Sequence, residues 1–227
     1  MGLAPTLLRR SGGRALCDKL KTSNMSRDTT GLTVVDWRQE LPTLAGRLVT
    51  LRELMPQDLG LLIDLFSVAD SGRFGLDEPV NDVDVRAFID RAIRDRRAGL
   101  SFTYAVVQNG TRTVVGLTQV RQLEPSFETA EWEGTLVPSV RGTGIFLEAA
   151  GMVGSFVFGT VGARRVEVRV LLQNGRANGA LRKLGAVQEG ILRRSVRRRG
   201  EYLDQALWSL LKDDWGDHWV STTPRVH

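Results

Sequence analysis

Val137-Pro138-Ser139-Val140-Arg141-Gly142-Thr143-Gly144-Ile145-Phe146 stands past the middle of the chain, and an apolar run to Phe158 follows directly behind it. Two glycines one residue apart, where a strand gives way to a helix, let main-chain N–H groups turn toward one point. The helix adds the positive end of its dipole, so the turn suits a phosphate or pyrophosphate. Arg141 adds a fixed charge. The segment is not a dinucleotide fingerprint, because the third glycine would fall on Leu147 and the motif should open a fold. Nor is it a Walker A loop, which needs Gly-Lys-Ser/Thr. Glycines at such a junction also serve simply to make a tight turn, so the order of the surrounding elements has to decide.

Upstream, Arg47 to Arg52 alternates polar with apolar residues and predicts a half-buried strand. Pro56 suits the first turn of a helix carrying Leu59, Leu62, Ile63 and Phe66. Asn81 or Asp82 can cap a second helix with Val85, Phe88, Ile89, Ala92 and Ile93 on one stripe, ending at Gly99. Ser101–Gln108 and Thr113–Gln119 read as a hairpin around Asn109-Gly110, a pair that tolerates the positive φ of a type I′ turn. A third strand runs from Thr129 to Val137, making a meander. Downstream come the helix Ile145–Phe158, a strand Arg165–Leu171, a helix Arg176–Leu184 closed by Gly185, and a hairpin of Val187–Arg198 with Tyr202–Leu211 around Arg199-Gly200.

Composition narrows the chemistry. At 227 residues, 42% hydrophobic and 25% charged, the chain has the profile of a soluble globular protein that buries a full core without staples. The one cysteine, Cys17, excludes a disulfide framework or a CxxC pair within the chain and fits a reducing cytoplasm. The two histidines, His218 and His227, lie at the C-terminal end, which excludes a Ser-His-Asp triad or a histidine metal cage in the body, so no metal is expected. Carboxylates, hydroxyls, amides and main chain remain. No apolar stretch reaches membrane-spanning length free of glycine and charge.

Of the net charge of +5, Arg9, Arg10, Arg14, Lys19, Lys21 and Arg27 against Asp18 and Asp28 contribute +4, so the basicity belongs to the first thirty residues rather than to a nucleic-acid-reading surface. Residues 1–30 are expected to be a disordered extension. Met1-Gly2-Leu3-Ala4-Pro5-Thr6 matches a myristoylation pattern, the arginines are reminiscent of a transit peptide, and an over-extended start with Met25 as the first residue is the blander reading, which we favour. Residues 31–45 form a lead-in, 46–216 one domain, and 217–227 a tail.

The order of elements and three separated blocks together resemble the GNAT superfamily of acyl-CoA-dependent N-acetyltransferases, in its ribosomal-protein (RimJ/RimL-like) branch. Arg141-Gly142-Thr143-Gly144-Ile145-Phe146 matches the family's Gln/Arg-x-x-Gly-x-Gly/Ala loop except at Phe146. Asn174-Gly175-Arg176-Ala177-Asn178 through Leu181-Arg182-Lys183-Leu184-Gly185-Ala186 looks like its Asn-x-x-Ser helix ending in Lys-Leu-Gly-Phe. Glu189-Gly190-Ile191-Leu192-Arg193 with Gly200, Tyr202, Asp204, Trp208 and Ser209 resembles its closing hairpin.

The resemblance implies an α/β fold whose splayed mixed β-sheet, mainly antiparallel, is flanked by helices and takes acetyl-CoA as co-substrate for direct transfer to an amine. The pantetheine arm would pair with main chain around Leu136 and Val137. The pyrophosphate would rest on Arg141, Gly142, Thr143, Gly144, Ile145 and Phe146, with Asn174 either on the cofactor arm or merely a helix cap. Glu131 falls on the family's glutamate position, and Glu133 points to the same face two residues on. Glu131 is the first candidate for the catalytic base and Glu133 the second, and the alternative is a pair of ordinary surface charges.

The branch's serine falls on Ala177, and the tyrosine that serves other members as general acid falls on Leu181, so neither supplies a proton. That departure keeps a non-catalytic or weakly catalytic acyl-CoA-binding module as the rival function. Tyr104 and Tyr202 read as packing. Arg193, Arg194, Arg197, Arg198 and Arg199 read as a charged solvated edge, without the aromatic platform of an RNA reader. Trp215 and Trp219 cover the core or make an oligomer contact, which would be that of a homodimer.

Overall fold

The molecule is described by a computed structural model, which covers residues 36–67, 80–198 and 200–215. The extension 1–30, the tail 217–227, Arg199 and Trp219 lie outside these residues.

The eight strands are β1 (Leu44–Ala45), β2 (Val49–Glu53), β3 (Ser101–Gln108), β4 (Val114–Gln122), β5 (Thr129–Leu136), β6 (Arg165–Leu171), β7 (Val187–Arg198) and β8 (Glu201–Leu211). They lie in one sheet in the order β1-β2-β3-β4-β5-β6-β8-β7, with β5 and β6 parallel and the remaining neighbours antiparallel. The expected splayed mixed sheet is therefore present. Helices α1 (Leu59–Ser67) and α2 (Asp82–Ala98) cover one face over β2 to β4, while α3 (Ile145–Phe156) and α4 (Gly175–Lys183) cover the other.

Local chemistry explains the boundaries. Asn81 caps α2 by accepting the N–H of Asp84, and Gly99 stops it at a left-handed φ of 73°. Buried Arg96 on α2 binds Glu53 and the carbonyls of Trp37 and Arg38, tying the segment before β1 to the sheet. Trp37 and Leu41 are buried in the α3-side core, so packing begins ahead of Gly46. Trp215 is buried against Phe158 with ring centroids 5.5 Å apart, which makes it core cover.

Two local expectations need correction, while the last hairpin forms where expected with an irregularity added to it. Neither Asn109 nor Gly110 adopts the positive φ of a type I′ turn; the residue that does is Arg112, at 57°. Asn109 is pulled toward β2 instead, its side chain donating to the carbonyls of Gly46 and Arg47 and accepting from Thr50, and the longer loop closes through the Arg112 N–H on the Gln108 carbonyl. The helix α3 ends at Phe156 and widens into a π-turn over Val157–Val161, which allows the consecutive residues Val157 and Phe158 both to be buried. The last hairpin carries two register shifts, one of them around Arg194, whose φ is 48° and whose N–H is held by Asp204. The arginines of β7 do line an edge strand.

A Cβ added at Gly154 would lie 2.2 Å from the indole of Trp215. Gly154→Ala is expected to lower stability by about 1–3 kcal/mol through overpacking, despite alanine's better helix propensity, as measured by urea unfolding.

Candidate active site

The site is built where β5 and β6 separate. Their pairing covers Thr129–Arg165, Ala130–Val166 and Glu131–Glu167 and then stops, although β5 runs on to Leu136 and β6 to Leu171. Main-chain groups of successive strand residues point to opposite sides, so the parity of the bonds shows which of them face the gap. The Glu128 carbonyl accepts from the Arg165 N–H on the β6 side, and the Val137 N–H donates to Val115 on the β4 side. Gly134 and Leu136 therefore turn their N–H and C=O groups into the opening. Of the two residues expected to pair with the cofactor arm, Leu136 is oriented for it and the Val137 N–H is committed to β4. Arg141 reaches back to the same edge, its Nε donating to the Leu136 carbonyl at 3.2 Å.

The strand leads through a 3-10 turn, Pro138–Val140, into the glycine segment. Gly142 and Gly144 have φ of 85° and 90°, a region that a side chain disfavours. Thr143 spends its hydroxyl on the Val140 carbonyl at 2.7 Å, locking the turn. Gly144 caps α3 without a side chain, and the first helical bond is that from Glu148 N–H to its carbonyl. The N–H groups of Ile145, Phe146 and Leu147 thus have no intrahelical acceptor and present themselves at the helix start. The Ile145 side chain is buried. Phe146, the residue that departs from the family's small position, stacks on Trp132 with centroids 5.7 Å apart and planes at 21°, beneath β5.

Glu148, which the sequence reading missed, holds this helix start in place. Its carboxylate accepts the N–H groups of Arg47, Leu48 and Val49 at 2.7, 2.6 and 3.1 Å. The signal was its position as the one charged residue in an otherwise uncharged helical run.

Glu131 and Glu133 do share one face, opposite Trp132, which packs with α3. Glu131 is not an isolated carboxylate, however. It pairs with Arg121 of β4 and, at 3.4 Å, with Arg169 of β6 across the start of the gap. The row continues through Glu167 to Arg165, which binds Glu189 of β7 at 2.6 and 2.7 Å. The hydrogen bonds from Arg165, joined by one from Ser209, hold the Glu189 carboxyl down at about 2.

Asn174 is the N-cap of α4, its Oδ1 accepting the Ala177 N–H at 3.1 Å, which leaves its Nδ2 as the donor for a further partner. Asn178 is the stronger structural amide of that block, bonding the Leu171 and Asn174 carbonyls and accepting from the indole of Trp208. Leu181 is buried. Tyr104 is buried with its hydroxyl on the Pro42 carbonyl, and burial reinforced by Glu53 pushes its pKa up, so it is no acid for this site. Tyr202 is exposed on β8 with Arg197 over its ring. No group of metal-ligating side chains occurs among the described residues.

Residues 48–187 match the acetyltransferase (GNAT) domain family, and the chain belongs to it. It is an N-acetyltransferase. Over 176 residues it is 23% identical to the uncharacterized N-acetyltransferase p20 of Bacillus licheniformis, covering 77% of this chain and 99% of that protein. Among solved structures it shares its fold with the ribosomal-protein-S5-alanine acetyltransferase of Vibrio fischeri, at 17% identity and a TM-score of 0.68, covering 77% of this chain and 98% of that one. It also resembles a spermidine N-acetyltransferase SpeG chimera from Vibrio cholerae and hSSAT, at 18% identity and a TM-score of 0.66, covering 75% and 99%.

Two predictions concern this scaffold. Glu148→Ala should cost about 2–4 kcal/mol in urea unfolding, because three N–H groups lose a charged acceptor. A carboxyl whose pKa is depressed on folding contributes stability above its unfolded pKa, here 4.5, and loses it as pH falls through the folded value, here about 2. The stability advantage of the wild type over Glu189→Gln should therefore be constant above about pH 5, shrink steadily below it and vanish only below about pH 2.

Proposed function

We propose that the chain transfers an acetyl group from acetyl-CoA directly to a primary amine, either a protein N-terminus or a small-molecule amine, as a member of the RimJ/RimL-like branch. The observation that carries this reading is the open main-chain edge of Gly134 and Leu136, which leads without a break into the left-handed glycines and exposed amides at the start of α3. An extended arm bearing amides adds to such an edge as another strand would, and its pyrophosphate end meets N–H groups and the helix dipole. Acetyl-CoA fits the residues present, and bound there it supplies an acyl group activated as a thioester.

Leu136 holds the arm by its main chain, while Arg141, Gly142, Thr143, Gly144, Ile145 and Phe146 hold the phosphates, Arg141 by its guanidinium and the others by N–H groups. Asn174 offers its Nδ2 from beyond the end of β6. The proton that the ammonium must lose passes to Glu133 or Glu131, directly or through water. Glu131 takes part from within its arginine pair, so Arg121 and Arg169 set its direction. Among the described residues no tyrosine or serine stands at the family's acid position, and water protonates the leaving thiolate. The single cysteine supports a cytoplasmic setting.

Calorimetric titration of acetyl-CoA into the full chain should give saturable binding that weakens at least about 100-fold in Gly144→Trp, with cooperative thermal unfolding as the control for folding. In an acetylation assay, Glu133→Gln or Glu131→Gln should lower kcat about 100-fold or more while acetyl-CoA affinity changes by less than about threefold. Full turnover in both variants would remove the carboxylates from the mechanism.

A further inference from the structure

The face that carries Glu131 and Glu133 also holds an opening that acetyl-CoA does not use. It is a cleft of about 380 Å³ between the C-terminal half of α2, the start of β3 and the end of β4, lined by Arg91, Asp95, Leu100, Ser101, Gln119, Arg121 and Gln122. Register places it beside the carboxylates. Ser101 lies opposite Arg121 across β3–β4, and Arg121 lies opposite Glu131 across β4–β5, so the three form one row on one face. Gln119 lies opposite Glu133 in the neighbouring row.

The lining has a definite chemistry. Ser101 is 4% exposed, and its hydroxyl finds no hydrogen-bond partner among the described residues. The hydroxyl oxygen itself is closed off from solvent, so Ser101 forms part of the cleft wall without presenting a donor to it. Two guanidiniums come to the same cleft from different elements, Arg91 from α2 and Arg121 from β4. A guanidinium has donors and no acceptor, so the partner group must be rich in acceptors. Asp95 follows Arg91 by one helical turn, a spacing that keeps the two on one side of α2, where both line the cleft. Gln119 is turned toward Thr103, to which its Nε2 donates at 3.0 Å.

We infer that this cleft binds a carboxylate carried by the amine acceptor, held by Arg91 and Arg121. The inference rests on the reading above, in which the amine reacts beside Glu131 and Glu133. A guanidinium fork matches the planar, acceptor-only carboxylate. The cleft lies one to two strand spacings from Glu131, about 5–10 Å, and the acceptor's carboxylate and amine must be separated by about that distance. An α-amino acid, with one carbon between the two groups, is too short; an amine at the far end of a short chain reaches. A diamine would set its second ammonium against Arg91 and Arg121.

Binding and transfer are read separately, with the full chain and acceptors of matched length. In calorimetry, 6-aminohexanoate should bind at least about tenfold more tightly than hexylamine or 1,6-diaminohexane. Arg91→Gln, on the exposed side of α2, should bring the three within about twofold, and Arg91→Lys, which keeps the charge but not the fork, should fall between. Ser101→Ala, at a hydroxyl closed off from the cleft, should leave 6-aminohexanoate binding within about twofold of wild type and the protein as stable or more so. In the acetylation assay the preference for 6-aminohexanoate over hexylamine should appear in KM and shrink with the same variants. No measurable binding of 6-aminohexanoate, equal or tighter binding of the other amines, or a carboxylate preference that survives Arg91→Gln would overturn the inference. Selective binding without acetylation of any amine would support the cleft and count against the acetyl-transfer reading instead.

Discussion

The parting of β5 from β6 after three paired residues is the constraint on which the rest of the site depends. An unpaired run of main chain inside a sheet is a liability, because its N–H and C=O groups seek a partner. Two features keep the gap from closing or spreading. At its origin, Arg169 bridges to Glu131, and the charge row through Glu167 and Arg165 to Glu189 links β4, β5, β6 and β7 on one face. On the other face, Trp132 of β5 stacks on Phe146 of α3, so the strand past the parting rests on the helix rather than on β6. The gap is therefore a fixed slot.

The slot would be of little use if the glycine turn at its mouth could drift. Glu148 prevents this by joining the first turn of α3 to the N–H groups that begin β2, about a hundred residues away in sequence. A carboxylate in the first helical turn would ordinarily satisfy the helix dipole itself. Here its oxygens face the β1–β2 turn, and with Gly144 offering no side-chain cap, the helix-start amides stay directed at an incoming anion. Gly46 contributes by its lack of a side chain, since a Cβ there would lie 2.9 Å from the Glu148 carboxyl carbon. Anchoring and the proposed anion binding are thus divided between the two sides of one helix terminus.

Much of this was legible in the sequence because it rested on local rules. The Asn81 cap, the Gly99 and Gly185 stops, the alternation in Arg165–Leu171 and the glycine pair each express a constraint within a few residues. What was not legible depended on distant partners. Asn109-Gly110 carries a strong turn signal, but contacts with β2 outweigh the intrinsic preference of the pair. Glu131 reads as a free carboxylate in its own strand, and only the register with β4 and β6 brings Arg121 and Arg169 to it. Ala177 and Leu181 have no proton to give, a reading that needs no distant partner, since identity alone decides it.

The two faces of the sheet divide the work in a way that follows from where the helices lie. Helices α3 and α4 fill one face, whereas α1 and α2 cover the opposite face only over β2 to β4. The other half of that face carries Glu131, Glu133, Glu167, Arg165 and Arg169, residues that need solvent or partners rather than a helix above them. A cofactor arm entering the slot from the α3 terminus has this charged half-face on its far side. On the proposed reading, an acceptor approaching there meets the edge of α2 before it reaches the carboxylates. Because Arg121 belongs to both the cleft and the Glu131 pair, an acceptor group bound by Arg121 also acts on the partner of the proposed base. On the proposed reading, recognition and proton transfer are in this way adjacent positions in a single row of side chains.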